Sequence, residues 1–124
     1  MEATRFDARV RERDGVAVVD FDGEIDAGAD EAIERAYATA ADGSSRTVLL
    51  NFADVDYINS TGIALIVGLL ARARKERTRV LCAGLSEHYR EIFEITRLAD
   101  FMELYPDEES AVATGPAAGQ RRGA

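Results

Sequence analysis

The sequence predicts an α/β domain: a mixed β-sheet of about five strands packed with about four α-helices. Three observations carry that expectation. Short β-branched runs alternate with segments whose apolar residues recur at helical spacing. The run Thr47-Val48-Leu49-Leu50-Asn51-Phe52 is almost continuously apolar, as a strand covered on both faces is, and Thr78 to Ala83 reads as a second buried strand. A helical segment separates these two, which makes them a parallel pair joined by a right-handed crossover.

Each element follows from local chemistry. A weak first strand runs from about Arg5 to Arg11 and meets the polar turn Arg13-Asp14-Gly15. Val16-Ala17-Val18-Val19-Asp20-Phe21 is a β-branched strand, closed by Asp22-Gly23. From Asp30 to Ala41, Ile33, Ala36, Tyr37 and Ala40 form one helical stripe, and Asp42-Gly43-Ser44-Ser45 ends that helix. A helix is expected from about Ser60 to Glu76. Ser86 is a natural N-cap for the next, whose stripe is Tyr89, Ile92, Phe93 and Thr96. Phe101 to Tyr105 supplies a short last strand. Pro106-Asp107-Glu108-Glu109 reads as the acidic, proline-led first turn of a final helix ending near Val112. Residues 1–113 thus form one domain, and the Gly/Pro/Ala/Gln/Arg stretch 114–124, with nothing to bury, is expected to be a disordered tail.

Composition narrows the function. At 124 residues the chain has room for little beyond one domain, and its net charge of -8 argues against a nucleic-acid partner. No apolar run approaches the roughly 18–20 residues of a membrane span, so no membrane partner is expected. The start Met1-Glu2-Ala3-Thr4-Arg5 has no apolar leader core, and the single Cys82 cannot pair internally; both fit a cytoplasmic protein.

The informative segment is Asp54-Val55-Asp56-Tyr57-Ile58-Asn59-Ser60-Thr61-Gly62-Ile63, which leads from a buried strand into an apolar helix. Asn59 or Ser60 can cap that helix, placing the hydroxyl of Ser60 or Thr61 beside unpaired first-turn N–H groups. Those groups and the positive end of the helix dipole tolerate an anion such as a serine phosphate. Gly62 leaves room for another backbone to approach. Along the helix, Ile63, Ile66, Val67 and Leu70 make a core stripe, while Leu65 and Leu69 lie on another side. At least one of these two is expected to be partly exposed beside Ser60.

These residues resemble the central motif of STAS-domain anti-anti-sigma factors, in which a strand leads into Asp-Ser-Ser/Thr-Gly and the first serine is phosphorylated. Gly23-Glu24-Ile25-Asp26 is similar to the family's Gly-Glu-Leu/Ile-Asp element. Cys82-Ala83-Gly84-Leu85-Ser86 followed by Ile92-Phe93-Glu94-Ile95-Thr96-Arg97-Leu98 is similar to its last strand–helix unit. The resemblance spans about Val16 to Val112 and implies a STAS-like fold. It also implies a non-catalytic binding switch: Ser60 as the phosphorylation site, with Asp26, Asn59, Thr61, Gly62 and Leu65 at the partner surface. The implied partners are an anti-sigma factor that is an ATP-dependent serine kinase and a resetting phosphatase, with a sigma factor engaged only indirectly. The nucleotide belongs to the kinase, so the chain needs no cofactor. Asn59 stands where phosphorylated members commonly carry Asp. STAS proteins also serve as unphosphorylated scaffolds or transporter partners.

An enzyme reading rests on Val18-Val19-Asp20-Phe21-Asp22-Gly23, which resembles the nucleophile loop of haloacid-dehalogenase-type phosphatases. That chemistry needs a cation for the phosphoryl group and more carboxylates for Mg²⁺. Glu24 replaces the usual Thr, the only lysine is Lys75 beside four arginines, and Asp107-Glu108 is the one later acidic pair to consider. No catalytic set and no metal site is expected. Asp20, Asp22, Glu24 and Asp26 lack the pattern of a calcium loop, His88 has no ligand at metal spacing, and Cys82 reads as a small core hydrophobe.

Overall fold

The structure, a computed structural model, describes residues 5–42 and 46–115. Strands β1 (Phe6–Arg13) and β2 (Val16–Ile25) precede helix α1 (Asp30–Ala41). They are followed by β3 (Thr47–Ile58), α2 (Ser60–Lys75), β4 (Arg79–Ala83), α3 (Glu87–Ile95), β5 (Glu103–Tyr105) and α4 (Glu108–Val112). Two 3₁₀ turns, Ala27–Ala29 and Leu98–Phe101, complete the order. The strands lie in the sheet in chain order; β1–β2 is antiparallel, and β2–β3, β3–β4 and β4–β5 are parallel. This is the mixed five-strand sheet with four helices that the sequence predicts, including the parallel pair formed by the two buried strands.

The β1–β2 hairpin closes on Asp14 and Gly15, with φ of 49° and 84°. Two residues of positive φ form the turn whose twist matches paired strands. β2 does not stop at Asp22-Gly23 as expected. It runs on to Ile25, because β3 takes an extra residue at two points opposite it and absorbs the irregularity. Gly23 sits in this stretch at φ 107°, where a Cβ would lie 1.8 Å from the Arg5 carbonyl oxygen. What reads locally as a turn is a strand that only glycine can fit under β1.

Three helices cover one face of the sheet. The α1 stripe Ile33, Ala36, Tyr37 and Ala40 is buried as expected. Phe6, Phe21, Phe52 and Phe93 form a continuous row across β1, β2, β3 and α3, with ring centroids 5.5, 5.3 and 5.9 Å apart. The other face buries Val16, Val18, Leu49, Leu81 and Ala83 under Ala111 and Val112 of α4. Beyond α4 that face is held by charge. Arg11 bonds Asp20 (2.6 and 3.0 Å) and Glu108 (2.6 and 3.0 Å), and Arg13 bonds Glu108 (2.8 Å).

The last elements are shorter than expected. Phe101 lies in a 3₁₀ turn, so β5 starts at Glu103. α4 begins at Glu108 rather than at Pro106, with Asp107 as its N-cap, whose carboxylate accepts the Ser110 N–H at 2.8 Å. Thr114 and Gly115 are bonded to the domain, through the Ala111 carbonyl (2.8 Å) and Arg79 (3.2 Å). The rest of the expected tail, 116–124, and the expected helix end at Gly43-Ser44-Ser45 lie outside the described residues.

Candidate functional site

The site is built where β3 hands over to α2. Pairing of β3 with β4 ends at Asn51 opposite Ala83, while β3 continues beside β2 to Ile58. Asn59 keeps an extended backbone (φ -93°, ψ -177°) and its side-chain oxygen accepts the Gly62 N–H at 2.8 Å. Of the two capping residues the sequence leaves open, the structure selects Asn59. Its carbonyl takes the Ile63 N–H at 2.9 Å, so the amides of Ser60 and Thr61 stand at the open end of the helix.

Ser60 is therefore the first helical residue, exposed, with its hydroxyl outside the cap bond; Thr61 beside it is exposed too. No acidic residue lies in the first turn of α2, whereas Arg72, Arg74 and Lys75 occupy its last turn. Both distributions suit an anion at the serine end and cations at the other.

The Ile25 carbonyl joins this loop to the one before α1. It accepts the Asn59 N–H at 3.2 Å and presses on Gly62, where a Cβ would come within 2.0 Å of the oxygen. Asp26, the next residue, caps the following 3₁₀ turn by accepting the Gly28 N–H at 2.9 Å. Asp26 and Ser60 thus each sit one residue from the bond that ties the two loops together. Gly62 is buried, and the backbone it accommodates is the chain's own. The space expected for a partner is already filled.

Packing also corrects the helix phase. The buried residues of α2 are Gly62, Ile66, Leu69, Leu70 and Ala73. Leu69 is buried and Val67 is 45% exposed, the reverse of the expected stripe. Leu65 is half-buried, which meets the expectation that one of the two leucines reaches the surface. Gly62 lies on the same buried side as Ile66, Leu69, Leu70 and Ala73, and its contact with the Ile25 carbonyl leaves no room there for a Cβ. Tyr57, 52% exposed, adds an aromatic ring on the strand before the site.

The phosphatase reading finds no loop. Asp20 lies in the sheet, bonded to Arg11 and to the Asn51 side-chain amide (2.8 Å). The Arg11 bonds hold its carboxyl below the usual aspartate range against partial desolvation. Asp22 is exposed on the same continuous strand. Among the described residues no group of His, Cys, Asp and Glu could hold a metal ion. Cys82 is buried, and burial pushes its thiol well up from the ordinary range. His88 is exposed with its ring against Tyr89, centroids 4.9 Å apart.

One participant escapes sequence reasoning. Tyr89, read as part of an apolar stripe, also accepts the Ile58 N–H on its hydroxyl at 2.9 Å. No local pattern marks it, because the contact joins residues 31 apart.

The exposed serine at a capped helix start, tied through the Ile25 carbonyl to the loop that carries Asp26, is the candidate site of this mixed sheet. The family model described as the STAS domain matches residues 7–111, and this chain belongs to the STAS domain family. Its relatives include the anti-sigma-B factor antagonist of Staphylococcus aureus, 29% identical over 82 residues, which are 66% of this chain and 76% of that protein. An anti-sigma factor antagonist from Mycobacterium paratuberculosis, known from its crystal structure, superposes with a TM-score of 0.75 at 25% identity, covering 88% of this chain and 92% of that one. The Bacillus cell fate determinant SpoIIAA in its phosphorylated form shares the fold, with a TM-score of 0.63 at 24% identity over 83% of this chain and 95% of its own.

Proposed function

We propose that this chain is an anti-sigma factor antagonist, a protein-binding switch set by phosphorylation of Ser60. The observation that carries the reading is the division of labour at the start of α2. Asn59 makes the cap bond, and Ser60 is left exposed at the positive end of a helix.

In the unmodified state, the surface around Asp26, Asn59, Ser60, Thr61 and Leu65 binds an anti-sigma factor and so frees a sigma factor. Gly62 supports that surface from beneath. The anti-sigma factor, an ATP-using serine kinase, then transfers phosphate to Ser60. This adds about -1.5 to -2 charges and new bulk in the contact area. Repulsion and desolvation separate the complex, although the phosphate itself is tolerated at the helix start. A phosphatase resets the protein. The chain contributes no catalysis and no cofactor, and its work is cytoplasmic; among the described residues no helix is long and apolar enough to cross a membrane.

Asn59 favours a second reading, an unphosphorylated STAS scaffold. It keeps the cap of the usual Asp without the charge. Purification of the protein from its own cells, with mass spectrometry of whatever accompanies it, separates the two. The switch reading expects a serine kinase in the complex and a fraction of the chain carrying phosphate on Ser60. A stable complex with some other protein and no phosphate would support the scaffold.

A further inference from the structure

β3 outruns β4, so its last residues have a strand neighbour on the β2 side only. Asn59 turns its N–H toward the Ile25 carbonyl on that side. By the alternation of strand geometry, the N–H and C=O of Ile58 point to the open edge. One side chain meets both. The Ile58 N–H donates to the Tyr89 hydroxyl at 2.9 Å, and that hydroxyl donates to the Ile58 carbonyl at 3.3 Å. A phenol has one proton to give and lone pairs to receive, so the two bonds coexist. Ile58 is 5% exposed, where an unpaired backbone group is costly. The tyrosine is itself held in place: its ring packs at the edge of the core, and its amide donates to the Ser86 cap at 3.2 Å.

We infer that Tyr89 is a positioning residue for the switch. Its hydroxyl fastens the end of β3 to α3, fixing the extended Asn59 that caps α2 and turns Ser60 outward. The inference rests on the reading of Ser60 as the phosphorylated residue. A kinase has to find Ser60 in this capped arrangement. Without the hydroxyl, the competent fraction of molecules falls and the apparent KM rises in proportion, while turnover of the bound protein is unchanged.

Tyr89→Phe tests this against Thr96→Val, which removes the hydroxyl of the residue that caps the C-terminal end of α3, one bonded to the Ile92 carbonyl at 2.7 Å. Amide hydrogen exchange by NMR on the whole chain needs no partner. In Tyr89→Phe, Ile58 and Asn59 should exchange about tenfold faster, the effect of losing one ordinary hydrogen bond. Leu49 and Leu50 should keep their wild-type rates, and Thr96→Val should leave all four unchanged. With the co-purified kinase and ATP, any rise in KM for Tyr89→Phe should come at constant kcat and match the fraction of molecules in which the exchange rates show the turn to be open. Wild-type exchange at Ile58 and Asn59 would overturn the inference. So would equal acceleration at Leu49 and Leu50, or a lowered kcat at unchanged KM. If the wild-type protein accepts no phosphate, the Ser60 reading has failed, and the exchange rates still decide the role of Tyr89.

Discussion

The Ile25 carbonyl oxygen lies against Gly62 so closely that a Cβ there would come within 2.0 Å of it. Gly68, further along α2, has nothing within 4 Å of the same position. Two glycines of one helix therefore have opposite uses. Gly62→Val should destabilise the fold by about 1–3 kcal/mol or more, the cost of forcing atoms into a filled space. Gly68→Ala should stabilise it by about 0.5–1 kcal/mol through helix propensity alone. Urea unfolding of both variants checks the pair, and a well-folded Gly62→Val would show that α2 can move off β2.

The cap assignment separates Asn59 from Ser60 in a second way. Asn59→Ala should cost about 1 kcal/mol by leaving the Gly62 N–H unmet, and Asn59→Asp should cost little. Ser60→Ala should change stability by less than about 0.5 kcal/mol, as surface substitutions do. Thermal unfolding of the three proteins distinguishes this order from one in which the serine is the cap.

How much of this was legible beforehand depends on the range of the interaction concerned. The limits of α1 and the Ser86 cap follow from neighbours within a few residues, and the structure has them where the sequence places them. Gly23 and Gly62 mislead because the atoms that require glycine, the Arg5 and Ile25 carbonyl oxygens, belong to segments distant in sequence. Gly23 reads as a turn and Gly62 as space for a partner, and each is in fact a close approach within the chain. Val67 and Leu69 are misplaced for a different reason: α2 is apolar on more than one side, so spacing alone leaves open which side meets the core, and packing buries Leu69 and exposes Val67. Tyr89 shows the same limit as the two glycines, being visible as an apolar residue but not as a hydrogen-bonding one.

Acid should loosen the outer face of the sheet. The Arg11 bonds are the largest cause holding both the Asp20 and the Glu108 carboxyls below their ordinary values. Unfolding restores those values, so the unfolded chain binds protons more readily on acidification. The stabilisation is complete above about pH 4–5, near the unfolded carboxylate values, and is lost as pH falls through the lowered folded ones. Arg11→Leu should thus be less stable than wild type at pH 7, with the gap closing toward about pH 2. Urea midpoints across that range test it; a gap independent of pH would contradict the ion-pair account.

Cys82 should be silent in the native protein. It is fully buried in β4, and its thiol is pushed up by desolvation, so little thiolate forms at neutral pH. A colourimetric thiol reagent should react within minutes in denaturant but only at the rate of global unfolding without it. Rapid native reaction would show that the α3 side of the sheet opens locally.

The central claim is that Ser60 is the residue at which the switch is set. The most direct measurement incubates wild type, Ser60→Ala and Thr61→Ala with the co-purified kinase and ATP, then locates phosphate by mass spectrometry. The account predicts phosphate on Ser60 in wild type and in Thr61→Ala, none on Ser60→Ala, and continued binding of the kinase by Ser60→Ala. Phosphate at wild-type level on Ser60→Ala would contradict it.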